Sequence, residues 1–244
     1  MAPVYTPPSP RVDDSTQGHI RGSALLLAGR FISLGTNFLV QMLTIRTLSM
    51  SDYGAFAWAM TVVAIGTNVV LFGLNRAVAR FLPMYHERRD YPSMFGTILL
   101  SIGSVVGIGA AVVLTAFGMR ATISAHAVDD PLAVVLLLIV ITLAPIQALD
   151  ALFQNMVAVF ARARAIFYRR HVLGPGLRLA AVLLVIALRG DARLLAYGYL
   201  VGGVLGLFVY LGLLHRILQE HGLTRFLRPG ALRVPVREIA SFSV

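Results

Sequence analysis

Three charged side chains stand inside long apolar stretches of this 244-residue sequence: Arg30, Asp150 and Arg178. An ionised group surrounded by hydrocarbon is costly, so such residues turn toward one another, toward water or toward a ligand. A guanidinium presents a planar fork of donors that matches a phosphate, whereas a carboxylate takes a cation or an arginine. Counted along the helices expected below, all three lie roughly 10–15 Å in from the same side of the membrane. Asp150 can therefore meet Arg178 or Arg30. Two arginines against one aspartate leave a surplus of positive charge suited to phosphate or pyrophosphate.

Polar residues keep helical spacing around these charges. Arg30, Ser33, Asn37, Gln41 and Thr44 advance by three or four and share one helix face. Thr61, Asn68 and Asn75 recur at intervals of seven, and Gln147, Asp150 and Gln154 form a third stripe. Together they predict a hydrated cavity with Arg30, Asn37, Gln41, Asn68, Asn75, Asp150, Gln154 and Arg178 as its candidate binding residues. Hydrogen bonding between helices produces the same pattern without any substrate. Catalytic signatures are missing: no glycine-rich phosphate loop opens a helix, and the six histidines lack ligand spacing. There is no cysteine, hence no thiol chemistry or thiolate metal site. The residues read as a binding machine, not an enzyme, with no cofactor. His86 and Glu87 read as solvated groups in a basic loop.

The elements that must position these groups are membrane helices. Hydrophobic residues make up 57% of the chain and charged ones 13%, well below the roughly 25% charge of soluble domains. Backbone polar groups in lipid must be satisfied internally, and continuous apolar runs such as Leu132 to Ile141 exclude an alternating β-barrel pattern. The expected fold class is therefore all-α, a polytopic bundle of about six transmembrane helices. The spans are Gly22–Ile45, Gly54–Arg80, Ser93–Gly118, Leu132–Phe160, Val172–Leu188 and Leu194–Leu218. Span five is short, and Gly174-Pro175-Gly176 breaks its first turn. Pro145 kinks span four. Gly103 with Gly107, and Gly198 with Gly202 and Gly206, are small residues four apart that let helices approach. Tyr53 and Trp58 fit an interfacial aromatic belt.

The net charge is +10 and every basic residue is arginine. Nucleic acid is excluded as a partner because the arginines sit between apolar spans and form no single polar face. Fifteen of the 21 flank one set of loops, among them Arg76, Arg80, Arg88, Arg89, Arg162 and Arg216, against four on the alternate set. The positive-inside rule makes the rich set cytoplasmic and the N-terminus cytoplasmic. Residues 1–21, with four prolines in the first ten, read as a disordered cytoplasmic tail, and 22–218 as the six-helix bundle. Residues 219–237 read as a basic linker or an amphipathic helix on anionic membrane lipids. Residues 238–244 read as the start of a seventh helix cut short.

Arg21-Gly22-Ser23 leading to Arg30, and the turn carrying Leu48, Asp52, Tyr53 and Gly54, resemble the opening of polysaccharide or O-antigen flippases of the Wzx type. Phe72-Gly73-Leu74-Asn75, Arg80-Phe81-Leu82-Pro83 and the basic loop from His86 to Tyr91 are similar to the end of span two and the loop that follows. The resemblance implies the multidrug/oligosaccharidyl-lipid/polysaccharide exporter fold, in which two six-helix bundles flank a central cavity. This chain would be the first bundle. It further implies alternating-access transport of a polyprenyl-diphosphate-linked oligosaccharide for cell-surface polysaccharide such as lipopolysaccharide, in the inner (plasma) membrane. A cationic cavity in that family fits Arg30. Other glycan-assembly membrane proteins are expected partners. The rivals are a drug or cation antiporter of the same superfold, which would rely on Asp150, and a non-transporting scaffold of a glycan assembly complex.

Overall fold

The computed structural model describes residues 14–126, 130–160 and 172–220. Helix α1 spans Asp14–Thr47, α2 Met50–Leu71, α3 Leu74–Glu87, α4 Tyr91–Gly118, α5 Arg120–His126, α6 Pro131–Val140, α7 Leu143–Phe160, α8 Gly174–Leu188 and α9 Ala192–Glu220. No strand occurs among the described residues. Helix α1 takes in residues 14–21, which the prolines and charges of the N-terminal region had suggested were tail. The regions 219–237 and 238–244 lie almost wholly outside the described residues.

Four segments are long and apolar enough to cross a membrane: Met50–Leu71, Tyr91–Gly118, Pro131–Ala158 and Ala192–Arg216. Helix α8 is apolar but has only 15 residues, and α1 has 34 and carries the polar stripe. The outward faces are those of a protein in lipid. Phe38 is 72% exposed, Leu114 70% and Phe208 65%, and water would not tolerate so continuous an apolar surface.

Span two is not one helix from Gly54 to Arg80. Its α2 portion stops at Leu71, because Phe72 and Gly73 take left-handed backbone angles (φ 33° and 76°). The Phe72 N–H still reaches the Asn68 carbonyl at 3.1 Å. Glycine adopts this geometry freely and phenylalanine only at a cost, and the left-handed pair breaks the helix, after which α3 sets off on a new axis. Span four is also broken, one turn before Pro145. Proline at 145 cannot donate to Ile141, and α6 ends at Val140 with Ile141 and Thr142 as a turn. At the head of span five, π-helical Val172 and Leu173 run into α8, so the regular helix begins only at the glycine-proline triplet, with Pro175 in its first turn, where a missing N–H costs little.

Helix α2 packs along α6 and α7, α9 along α7 and α8, α1 along α8, and α3 between α4 and α7. The apolar interior forms two clusters. One joins Val40, Ala59, Val63, Leu136, Val140, Val185 and Ala196. The other, toward the α3 end, joins Val78, Leu82, Met94, Leu152, Met156 and Tyr210. Two buried hydroxyls are satisfied within their own helices: Thr44 donates to the Val40 carbonyl at 2.7 Å and Thr97 to the Ser93 carbonyl at 2.9 Å.

Close approach between helices uses glycines the spacing only partly identifies. Gly198 and Gly202 pack against Ala181 and Leu177 of α8. Gly103 and Gly107 do not serve this role within the bundle: a side chain there would meet no described atom within 4 Å. The α4 glycine that matters is Gly109, where an added Cβ would fall 2.5 Å from Pro145 Cβ. Gly109→Ala is therefore expected to destabilise the protein by about 1–3 kcal/mol through overpacking. Gly103→Ala should be neutral or slightly stabilising. Thermal unfolding of both variants in detergent checks this, and equal losses would contradict it.

Candidate functional site

Helix α8 begins in a Gly-Pro-Gly turn and carries Arg178 on its second turn. From there Arg178 borders three adjoining cavities. The first, about 90 Å³, is lined by Gln147 and Asp150 of α7, Arg178, and Tyr199 of α9, with Gly198, Gly202 and Gly203 opening the α9 wall. The second, about 170 Å³, is lined by Ser33 and Asn37 of α1, Asp150 and Gln154 of α7, Arg178, and Tyr210 of α9. The third, about 290 Å³, lies between Gln41 and Thr44 of α1, Tyr53, Phe56 and Met60 of α2, Arg178 and Tyr199. They make one polar cleft between α1, α2, α7, α8 and α9, with the guanidinium at the junction.

The geometry sorts the sequence candidates into three groups. Asn37, Gln41, Asp150, Gln154 and Arg178 are brought together in the cleft. Arg30 is not among its lining residues. It is exposed on α1, one turn before Ser33 on the same face and about 10 Å along the axis from Asn37. The cleft itself thus holds one arginine and one aspartate, and the surplus positive charge inferred from Arg30 plus Arg178 does not lie within it. Asn68 and Asn75 belong elsewhere. Asn68 is exposed and donates to the Ala64 carbonyl of its own helix at 2.9 Å, and Thr61 does the same to Ala57 at 2.9 Å. Asn75 accepts a hydrogen bond from the Asn155 amide across the α3–α7 interface. Seven-residue spacing predicted one shared stripe, but the corner at Phe72 and Gly73 places Asn75 on a different axis.

Two more polar contacts tie helices together. The Gln41 amide donates to the Tyr53 hydroxyl, joining α1 to α2, and Thr67 Oγ1 lies 3.5 Å from Gln147 Oε1 between α2 and α7. Interhelical bonding thus accounts for Gln41 and Asn75, while Asn37 and Gln154 line open volume. Sequence reasoning did not single out Tyr199, Tyr210 or Asn155. The tyrosines lie eleven apart in span six, a three-turn repeat that puts both on one face, and that was the available signal. His86 and Glu87 lie at the end of α3 instead of in a loop: Glu87 is exposed, as expected of a solvated group, whereas His86 is half-buried with its ring 6.3 Å from that of Tyr91, and both border a cavity of about 350 Å³ with Asn155. Among the described residues no group of His, Asp and Glu could hold a metal ion.

Residues 20–244 match the family described as polysaccharide biosynthesis protein, which is nearly the whole chain. The chain belongs to this family. No curated protein matches it. Two solved structures share the fold of this polysaccharide biosynthesis protein. One is a MOP superfamily transporter from Pyrococcus furiosus, reported with a binding pocket of reverse polarity that suggests a different function. It has TM-score 0.70 and 14% identity over 95% of this chain and 51% of that one. The other is an outward-facing multidrug resistance transporter of the MATE family in the MOP superfamily. It has TM-score 0.66 and 16% identity over 91% of this chain and 50% of that one. The chain spans about half the length of each. Its all-helical bundle is thus the fold of half a MOP transporter, and the protein is a multi-pass membrane protein.

If the Asn75–Asn155 bond couples the broken span two to α7, a double-mutant cycle of Asn75→Ala and Asn155→Ala should return an interaction energy of about 1 kcal/mol. Unfolding in mixed micelles measures it, and strictly additive losses would contradict the coupling.

Proposed function

We propose that this chain forms half of an exporter that moves a polyprenyl-diphosphate-linked oligosaccharide across the plasma membrane for cell-surface polysaccharide synthesis. The observation that carries the reading is the position of Arg178 at the meeting point of three cavities, in a chain of the polysaccharide biosynthesis family. A guanidinium attracts phosphate through charge-assisted hydrogen bonds from its planar fork. Asn37, Gln147 and Gln154 offer the mixed donors and acceptors that sugar hydroxyls need. Tyr199 and Tyr210 add an amphipathic wall.

Exposed polar residues on α1 and α2 support a path along the outside of this bundle. Arg30, Asn37, Gln41, Thr61 and Asn68 are all exposed, and lipid is a poor neighbour for them. A water-filled passage against a second bundle satisfies them. Arg30, near the arginine-rich side, would meet the diphosphate before Arg178 does. The N-terminus would be cytoplasmic, as the loop arginines require. Anionic lipids would hold the basic flanks, and other glycan-assembly membrane proteins would deliver the substrate. The chemistry is transport without bond breaking, so no catalytic group or cofactor is needed.

Arg178→Ala in the complete protein, at unchanged abundance, should lower surface polysaccharide about tenfold or more, the scale of a lost charge-assisted contact. Lipid-linked oligosaccharide should accumulate in the inner leaflet, and Arg178→Lys should recover part of the export. Normal export by Arg178→Ala would overturn the reading. One observation favours a second reading: Asp150 borders two of the three cavities, as a drug or cation antiporter would need. In that case Asp150→Asn would abolish a substrate-dependent proton or sodium flux, which the oligosaccharide reading does not require.

A further inference from the structure

A second recess lies away from the cleft, on the opposite side of α2. It has a volume of about 420 Å³ and an almost wholly apolar lining, drawn from Ile65 and Val69 of α2, Ile108 and Ala111 of α4, and then Met119 and Ile123 at the α4–α5 end. Gly66 also lines it, at a point where an added Cβ would lie 3.4 Å from Ala144 Cβ and 3.7 Å from Val112 Cγ1. The walls belong to segments apolar and long enough to cross the bilayer, so the recess opens to lipid, not water.

Its length and direction fit one leaflet. From Ile108 to Met119 is eleven residues of helix, about 16 Å, close to half of the ~30 Å hydrocarbon core. Helix α4 starts at the arginine-rich side and ends at Gly118. Ile108 therefore sits near mid-membrane, and Met119 and Ile123 form the mouth near the opposite surface. Helix α6 agrees, entering from that surface at Pro131 and reaching the recess ten residues later at Ile141.

The mouth carries a charge. Arg120 is exposed, next in sequence to Met119 and three residues before Ile123, hence on the same face of α5. An apolar trough one leaflet long that ends at a guanidinium is complementary to a phospholipid, with acyl chain within and phosphate outside. We infer that the groove between α2, α4 and the turn after α6 is a binding site for a bilayer phospholipid of the leaflet on the α5 side, its acyl chain lying from Met119 to Ile108 and its phosphate on Arg120.

The test uses the complete protein in nanodiscs of phosphatidylglycerol doped with a phosphatidylglycerol whose acyl chain carries a diazirine. After irradiation, labelled peptides are mapped by mass spectrometry. Label should concentrate on residues 62–69 and 108–123. Ala111→Phe, which fills the trough, should reduce that label about tenfold, the scale of a few methylenes denied burial. Arg120→Glu, a surface change that leaves the packing intact, should reduce it about fivefold or more through lost phosphate attraction. Label spread evenly over all lipid-facing helices, or groove label unchanged in both variants, would overturn the site. Efficient disulfide dimerisation of an Ala111→Cys protein would overturn it too, since a second copy would then cover the groove.

Discussion

A guanidinium in the second turn of an apolar helix has to be solvated by something other than lipid, and the bundle is arranged around that requirement. Helix α8 brings Arg178 to a junction where α1, α7 and α9 turn amide, carboxylate and phenol groups toward it. The glycines at 198 and 202 let α8 sit close to α9, Gly203 does the same for α7, and all three line the open cleft. Were those helices packed as tightly as the two apolar clusters, the charge would have no place to reside. The cleft is thus the physical condition for having Arg178 in the membrane at all, before any ligand is considered.

Two breaks in helix continuity shape the walls. The corner at Phe72 and Gly73 turns the arginine-bearing end of span two into α3, whose apolar face packs between α4 and α7. The turn ahead of Pro145 divides span four so that α6 fills one apolar cluster while α7 carries Gln147, Asp150 and Gln154 past the cleft. Interhelical amide contacts brace both breaks: Thr67 approaches Gln147, and Asn155 grips Asn75. Some cleft-lining residues also brace: Gln41 bonds Tyr53 and Gln147 approaches Thr67, while Asn37 and Gln154 line the open volume.

Much of this was legible in the sequence because the strongest constraints on a membrane chain act along one dimension. Apolar length and the need for internal backbone hydrogen bonds gave the helical membrane bundle, and a proline's missing donor gave the break in span four. The α1 stripe was legible because one uninterrupted helix preserves its phase, so Asn37 and Gln41 reached the cleft. The span-two stripe failed for the converse reason. A left-handed phenylalanine at 72 cannot be anticipated from composition, and once the axis turns, Asn68 and Asn75 no longer share a face. Arg30 shows a further limit: periodicity fixes the angle around a helix, but not where along the axis the neighbouring helices stop. Gly103 and Gly107 matched the spacing of a packing motif, whereas the contact that packs α4 on α7 depends on Pro145, a residue of another helix.

The central claim is that the cleft around Arg178 is hydrated and binds phosphate. The chain has no cysteine, so single cysteines can be introduced at Asn37 and Gln154, with Phe38 on the lipid face as control, and challenged with a membrane-impermeant thiol reagent. The account predicts labelling at 37 and 154 but not at 38, with pyrophosphate protecting the first two only while Arg178 is present. Cysteines at 37 and 154 as unreactive as the one at 38, or equal protection in an Arg178→Ala background, would contradict it.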